Sequence, residues 1–302
     1  MTPSVRSRDD RWTRRGGEAL PWKAGGATLC HMRTRTLLDA YDTQLRGDAE
    51  MLDAPDVLRL GPLLAGVFPA RRRAFVSSAP FSMGGAELDD LIAHVITTCE
   101  ADPRVDHISW KTRSHDPLPH LLSRLQHHGF ALGEPETVMV GEADAVLAAL
   151  AGQEPLRGYA VERAATEAQL REAEHLAGRV FEDSPERIRL QQDGLVERWR
   201  SAPESFEMWA VRDGGGQVVC SGRIEFLEHT DFAGLWGGAC LEEHRGRGLY
   251  RALVDRRARS ARDRGRTLLH VDCSEYSRPI LQRVGLVPVT TVRSATRTCS
   301  SQ

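Results

Sequence analysis

The chain has 302 residues, of which 41% are hydrophobic, so it is long enough for two globular domains with buried cores. Its formal net charge of −2 gives no reason to expect a nucleic-acid or acidic-membrane partner. It has neither an apolar run of about eighteen residues nor the apolar segment of a secretory signal, so we expect a cytoplasmic protein. Six cysteines without a Cys-x-x-Cys pair favour a reduced protein without a zinc site.

Residues 1–30 contain many arginines and little hydrophobic periodicity, so they predict a disordered basic tail, with Met32 a second candidate start. A short amphipathic helix is expected at 34–45. The pattern then predicts strands at 57–60 and 73–77, a helix at 88–100, a strand at 107–111, a helix at 116–128, and closing strands at Phe130 and 138–140. We interpret Trp110, next to Lys111, His115 and Asp116, as a core residue beside a polar loop.

Residues 144–157, with Gly152 and Pro155, predict a linker between two units, 31–145 and 156–302. The second unit predicts a strand at 159–163, helices at 167–181 and 185–199, and strands at 206–212, 217–226 and 232–241. Ser184 or Asp183 before Pro185 marks a helix start, because proline fits the first helical position. A strand at 267–272, a helix at 277–284 and a strand at 286–292 complete the unit.

The most informative stretch joins an apolar strand to a helix and runs from Arg245 to Tyr250. Its two glycines, Gly246 and Gly248, permit a tight turn with uncovered N–H groups, and the helix start adds a partial positive charge. This combination suits a phosphate or pyrophosphate. The stretch has no Gly-Lys-Ser/Thr ending of a Walker A loop, and Arg251 replaces the third glycine of a Rossmann turn.

The stretch resembles the acyl-CoA-binding motif of the GNAT superfamily of N-acetyltransferases, Arg/Gln-x-x-Gly-x-Gly/Ala, through Arg245, Gly248 and Leu249, with Tyr250 at the last position. The flanking elements follow the GNAT order. The first unit repeats the order strand, helix, Gly129-Phe130, strand, but it lacks the motif. The resemblance implies an α/β fold with a mixed sheet, namely a tandem GNAT-like acyl-CoA N-acyltransferase fold, whose degenerate first unit does not bind CoA in the usual way.

The resemblance also implies acetyl-CoA as co-substrate and no metal. The pantetheine arm is expected along Ala239, Cys240 and Leu241, and the pyrophosphate on Arg245, Gly246, Arg247, Gly248, Leu249 and Tyr250. The side chains of Arg245 and Arg247 are further phosphate candidates, because guanidinium forks match phosphate oxygens. The implied reaction is direct attack of a primary amine on the thioester, which needs a general base and a proton for the thiolate.

Glu225 is the candidate base, because it alternates with apolar residues on a central strand. Many GNATs place an acidic tyrosine four residues before the glycine that closes the short helix, where this chain has Leu281. Ser277, which is also expected to contact CoA, and Tyr276 are therefore the candidate acids. Cys240 has no legible His/Asp partner in the sequence, so we expect a small buried hydrophobe there and not an acylated nucleophile.

The acceptor pocket is expected in residues 167–200, whose acidic side chains favour a cationic small molecule or peptide amine. These residues include Glu174, His175, Glu182, Asp183 and Glu186. Two other functions stay open: a non-catalytic acyl-CoA-binding regulatory protein, and an interaction scaffold that binds no CoA. No nucleic-acid or membrane partner is expected, and a homodimer is allowed.

Overall fold

A computed structural model of the chain describes residues 25–52 and 54–299. Most of the predicted basic tail, residues 1–24, lies outside the described residues, whereas residues 25–30 begin the first helix. Each half of the chain supplies helices and strands to one sheet.

The first half contains helices α1 (Gly25–Gln44), α2 (Gly85–Glu100), α3 (Leu121–His127) and α4 (Ala143–Leu150), and strands β1 (Asp56–Leu60), β2 (Leu63–Phe68), β3 (Arg73–Ser78), β4 (His107–Arg113) and β5 (Ala131–Glu142). The second half contains helices α5 (Glu167–Val180), α6 (Pro185–Ser201), α7 (Leu249–Asp263) and α8 (Arg278–Arg283), and strands β6 (Tyr159–Arg163), β7 (Phe206–Asp213), β8 (Val218–Phe226), β9 (Phe232–Cys240), β10 (Leu268–Cys273) and β11 (Val287–Thr298).

Several predicted elements of the first half are corrected by the structure. Strand β2 was not predicted, and the two closing strands expected at Phe130 and 138–140 form the single strand β5. The helix expected from residue 116 begins at Leu121. Asp116 lies in the loop before this helix, where its carboxylate accepts two hydrogen bonds from Arg46. Part of the expected linker is helix α4, which is buried against α7.

All eleven strands form one sheet in the order β1-β2-β3-β4-β11-β5-β10-β9-β8-β7-β6. The pairs β3–β4 and β9–β10 are parallel, and the other neighbours are antiparallel. The sheet is therefore mixed, as the sequence predicted.

The two halves exchange their last strands. Strand β11 of the second half lies between β4 and β5 of the first, and β5 lies beside β10 of the second. The boundary near residues 145–156 stays a prediction, but the hydrogen-bonded sheet continues across it in both directions. Each half therefore completes the other half's sheet.

Strands β9 and β10 pair only at their beginnings, where residues 232–234 lie beside 268–270. Beyond the pair Gly234–His270, β9 pairs with β8 and β10 pairs with β5. The two parallel strands therefore separate into a V-shaped opening. The turn that follows β9 leads directly into α7, which places the start of that helix next to the wide end of the opening.

Candidate functional site

The turn before α7 has the backbone that the sequence predicted for an anion site. Gly246 has φ +76° and Gly248 has φ +81°, a left-handed conformation that L side chains rarely adopt. Gly248 is the N-cap of α7, so the N–H groups of the next three residues have no partner within the helix. These donors and the helix dipole together favour a phosphate.

The two arginines of the turn are anchored to the protein backbone and to one tyrosine. Arg245 donates to the carbonyl oxygen of Cys240 (3.1 Å). Arg247 donates to the hydroxyl of Tyr159 (3.0 Å) and to the carbonyl oxygen of Glu243 (3.2 Å). Both guanidinium groups thus brace the turn while their side chains stay exposed, and a role in phosphate binding remains a prediction for each.

A cavity of about 530 Å³ adjoins this turn on the side of the segment that joins the two halves. Its lining consists of residues 151–157 together with Tyr159, Arg247, Gly248 and Arg251. Three arginines, Arg157 among them, face one glutamate, Glu154, so the lining is predominantly basic. The cavity adjoins the candidate anion site of the turn, and the segment between the two halves forms part of its lining.

Tyr250 stands where the acyl-CoA motif has glycine or alanine, and the structure shows what accommodates its ring. A Cβ on Gly238 of β9 would lie 2.6 Å from the tyrosine ring, so the absence of a side chain there makes room for it. The guanidinium of the fully buried Arg257 lies 5.7 Å from the ring centroid. The tyrosine at position 250 therefore fits because Gly238 on the facing strand β9 has no side chain.

A β-bulge interrupts β9 at the V-shaped opening. Ser221 of β8 pairs with Ala239 and Arg223 pairs with Trp236, so Gly237 and Gly238 oppose a single residue of β8. Gly237 is left-handed, with φ +59°. Since β10 has already diverged, the bulge lies on the part of β9 that has no β10 neighbour. Sequence reasoning named 239–241 and missed these two, although glycines within a strand are typical of a bulge.

Glu225, the predicted base, lies on the sheet face opposite α7 and pairs in register with Gly234. Its Oε1 accepts hydrogen bonds from Arg198 (2.9 Å) and Arg223 (2.7 Å). Burial raises the pKa of Glu225, but the two guanidinium groups outweigh it and the net shift is downward. Glu225 is therefore a stably ionised carboxylate, and its role as base stays a proposal.

The same face carries two polar residues that sequence reasoning did not single out. His270 is buried and the side chain of Asp272 is 8% exposed, and both belong to the strand at the V-shaped opening. Asp272 pairs with Lys111 of β4 at 2.8 Å, so a side chain of the first half reaches the face of the opening. Trp110 beside it is 3% exposed and packs edge-on against Phe130, as a core residue. The alternating pattern His-x-Asp on a predicted strand is the sequence feature that could have indicated these two residues.

The predicted acids lie at the start of α8. Ser277 is the N-cap of that helix and is partly buried, whereas Tyr276 is 93% exposed. Leu281, where the family tyrosine is expected, is fully buried in the core between α8 and β10. Ser277 is thus partly enclosed by the protein, whereas the phenol of Tyr276 extends into solvent. The role of each residue as general acid remains a prediction.

Cys240 lies directly opposite Cys220 on the neighbouring strand, and both are free thiols. Cys220 is buried and Cys240 partly buried. The largest cause of both pKa shifts is the hydrogen bond between the two thiols, which lowers the pKa of Cys240 and raises the pKa of Cys220. The partner of Cys240 is thus another thiol, and Cys240, expected as a small buried hydrophobe, is only partly buried.

A second cavity, of about 510 Å³, lies between α5 and α6 in the region predicted for the acceptor. It is lined by His175, Arg179, Glu182, Asp183, Pro185, Ile188, Arg189 and Gln192. Glu174 points elsewhere, with its carboxylate 4.0 Å from Arg223, and burial raises its pKa. Three of the predicted acceptor residues therefore share one cavity that opens to solvent.

Among residues 25–52 and 54–299, no three His, Cys, Asp or Glu side chains are arranged to hold a metal ion. Within the same ranges, no helix combines the length and apolar character needed to span a membrane.

Residues 168–285 match the family model described as Acetyltransferase (GNAT) family. None of the curated proteins is significantly similar in sequence.

The fold resembles that of several solved structures. A GCN5-related N-acetyltransferase from Kribbella flavida has a TM-score of 0.60 and 17% identity, with 87% of this chain and 95% of that chain covered. A tandem GNAT protein from the clavulanic acid biosynthesis pathway has a TM-score of 0.59 and 13% identity, with 91% of this chain and 96% of that chain covered. A functionally unknown conserved protein from Staphylococcus epidermidis has a TM-score of 0.63 and 13% identity, with 82% of this chain and 96% of that chain covered. The likeness spans both halves, which confirms the tandem GNAT fold.

Proposed function

The second half of the chain contains a GNAT acetyltransferase domain, and we propose that it transfers an acetyl group from acetyl-CoA to a primary amine of a small molecule or peptide. The observation that carries this proposal is the placement of the glycine turn of α7 beside the V-shaped opening between β9 and β10. A cytoplasmic location remains a prediction from the sequence.

The proposed path of acetyl-CoA runs from the turn into the opening. The pyrophosphate accepts hydrogen bonds from the backbone of 245–250, and the adjoining basic cavity takes the nucleotide end. The pantetheine arm then pairs with the exposed edge of β9, and a bulge N–H near Gly237 or Gly238 holds the thioester oxygen. Such a donor stabilises the charge that develops in the transition state, by about 3–4 kcal/mol in other acyl-transfer enzymes.

The chemical step is direct attack by the amine nitrogen on the thioester carbonyl carbon. The C–N bond forms, the C–S bond breaks, and the amine proton is taken by a base, for which Glu225 is the candidate from the sequence. A thiol has an unperturbed pKa near 8.5, so its thiolate leaves at neutral pH with little help. The absence of the family tyrosine, replaced by the buried Leu281, is therefore compatible with turnover.

We propose no acetyl-CoA site in the first half. There, β3 and β4 pair over 73–76 and 107–110 and then separate, as β9 and β10 do. Two arginines fill the separation: Arg46 donates to the carbonyl oxygen of Ser78 (3.1 Å), and Arg113 donates to the hydroxyl of Ser77 (2.8 Å). The carbonyl oxygen of Ser78, on the backbone edge that a pantetheine arm needs, is thus already engaged by Arg46.

The experiment for this proposal is calorimetric titration with acetyl-CoA together with a thiol-release assay over a panel of primary amines. Binding with turnover supports an acetyltransferase. Binding without turnover on any amine supports the second candidate, an acyl-CoA-binding regulatory protein, which the burial of Leu281 and the exposure of Tyr276 favour. The absence of binding contradicts both.

A further inference from the structure

His270 stands at the vertex of the V-shaped opening. It forms the last pair with Gly234 before β9 and β10 separate, and Glu225 lies opposite Gly234 on the next strand. These three residues therefore form a row on one face of the sheet. The inference that follows rests on the proposed function, since the opening is where the thioester is placed.

The imidazole of His270 has no hydrogen-bond partner among residues 25–52 and 54–299. It is 6% exposed, and neither ring nitrogen is paired with any described residue. The ring packs edge-on against Phe232 (5.8 Å between centroids) and Trp236 (5.4 Å). Its Nε2 lies 2.9 Å from where a Cβ on Gly234 would be, so it lies over the backbone of β9. Each unpaired buried polar group costs about 1–3 kcal/mol, so an ordered water or a bound ligand must supply a partner for these nitrogens.

Asp272 lies two residues further along β10, on the same face and nearer the wide end of the opening. Its Oδ2 accepts a hydrogen bond from Lys111, whereas its Oδ1 is buried and unpaired among the described residues. Burial raises the pKa of Asp272, but Lys111 outweighs it and the net shift is downward. Asp272 is thus a carboxylate with one oxygen free for an N–H donor.

The other titratable groups near His270 and Asp272 include Glu50, Glu225, Tyr41 and Glu136. The carboxylates of Glu50 and Glu225 each contact two basic side chains. Burial raises the pKa values of Tyr41 and Glu136. Burial also lowers the pKa of His270 to about 4, so its imidazole is neutral at pH 7 and one ring nitrogen carries a lone pair.

We propose that His270 and Asp272 hold the nitrogen of the acceptor amine at the vertex of the opening, with His270, in place of Glu225, as the base. The imidazole lone pair and Oδ1 of Asp272 accept the N–H hydrogens, which leaves the amine lone pair facing the thioester. As the C–N bond forms and the C–S bond breaks, the amine proton passes to the imidazole and CoA departs as the thiolate. The charge of Asp272 favours the imidazolium against the burial that disfavours it, and Lys111 is a positioning residue that orients Asp272.

The first test is a titration of the full-length protein with ethylamine, the probe for the reacting nitrogen, in the presence of CoA. Imidazole resonances are followed by ¹⁵N NMR, and His270 is assigned by its loss in His270→Gln. We expect the His270 resonances to shift, and to shift less in Asp272→Asn, while those of the exposed His94 stay fixed. Unmoved His270 resonances in a protein that binds CoA would overturn the amine site.

The second test is thiol release from acetyl-CoA with ethylamine as acceptor. We expect His270→Gln to lower kcat by about 100-fold and to leave the Kd for acetyl-CoA within about twofold, as removal of a base does. His94→Gln should match the wild type. Circular dichroism checks the fold, and Asp272→Asn, which keeps side-chain size, should lower kcat in the same direction.

The outcomes separate this proposal from the proposed function. Wild-type turnover in His270→Gln overturns the role of His270 as base. A wild type that binds acetyl-CoA and releases no thiol with ethylamine overturns it as well. A wild type that does not bind acetyl-CoA, yet shifts its His270 resonances with ethylamine, retains the amine site and contradicts the acetyltransferase.

Discussion

Lys111 of β4 and Asp272 of β10 form an ion pair across the two halves of the sheet, with 2.8 Å between Nζ and Oδ2. Lys111 also lies 3.4 Å from Glu50, and the side chains of Lys111 and Asp272 are only 19% and 8% exposed. The pair brings a cation of the first half to the strand that borders the V-shaped opening. The first half therefore contributes a side chain to the proposed site, although its sequence lacks the acyl-CoA motif.

The first prediction concerns Lys111→Met, which should destabilise the protein by about 3–5 kcal/mol, because it leaves the buried carboxylates of Asp272 and Glu50 without their shared cation. Urea unfolding measures the change. The control is Arg59→Met, which removes a similarly short but exposed pair with Asp48 (2.7 Å) and should cost less than about 1 kcal/mol. Equal effects of the two substitutions would contradict a structural role for the buried pair.

The second prediction is a pH dependence of stability due to His270. Its pKa is about 4 in the folded protein and 6.5 when unperturbed, so between these values the unfolded chain binds a proton that the folded protein does not. The free energy of unfolding should therefore fall as pH falls from 6.5 towards 4, by up to about 1.4 kcal/mol per pH unit.

Denaturant unfolding between pH 6.5 and 5, compared between the wild type and His270→Gln, isolates this dependence, because His107, whose pKa is also lowered, and Glu136 and Glu174, whose pKa values are raised, contribute to both proteins alike. The downward-shifted Asp272 and Glu50 lose their contribution only at lower pH. His270→Gln should flatten the curve in this window. An unchanged slope in that variant would show that another group titrates.

The third prediction follows from the exchanged strands. Strand β11 is the only link between β4 and β5 in the sheet order, so residues 1–150 alone leave two strands without their shared neighbour. This fragment should not give a cooperative unfolding transition by itself, and should regain one when it is coexpressed with residues 151–302. A chain ending at Cys299, just beyond β11, is the control and should fold. Cooperative folding of the isolated fragment would mean that the halves are independent.

The fourth prediction concerns Glu225→Gln, which should lower kcat by about tenfold or more with little change in the Kd for acetyl-CoA. The substitution removes the charge that faces His270 and pairs with Arg198 and Arg223. Thiol-release rates across the pH range provide the measurement, and the exposed Glu228→Gln is the matched control. Wild-type rates at every pH would exclude a role for Glu225 in the chemical step.

Much of the second half was predictable because its signals are local. Ser184 caps α6 by accepting a hydrogen bond from the N–H of Arg187, with Pro185 at the first helical position as expected. The glycine turn and α7 also lie where spacing placed them. In the first half the repeated element order was visible, and the likeness to a tandem GNAT protein confirms the repeat.

The non-local features were not predictable. Periodicity indicates that β11 is a strand, but it does not say that β11 pairs with β4 and β5. Likewise, Lys111 and Asp272 are far apart in sequence, and only the exchanged sheet brings them together. The linker prediction missed α4, because the apolar face of that helix is explained only by its contact with α7.

The most direct test of the account is calorimetric titration of acetyl-CoA into the wild type, Gly248→Asp and Gly248→Ala. Both variants share the strain of a side chain at φ +81°, and a Cβ there lies 3.6 Å from Arg251, so only the aspartate adds a negative charge to the anion site. We predict micromolar binding by the wild type, weaker binding by Gly248→Ala, and a loss of about 100-fold or more in Gly248→Asp. Equal affinity of Gly248→Asp and the wild type, or no wild-type binding at millimolar acetyl-CoA, would contradict the account.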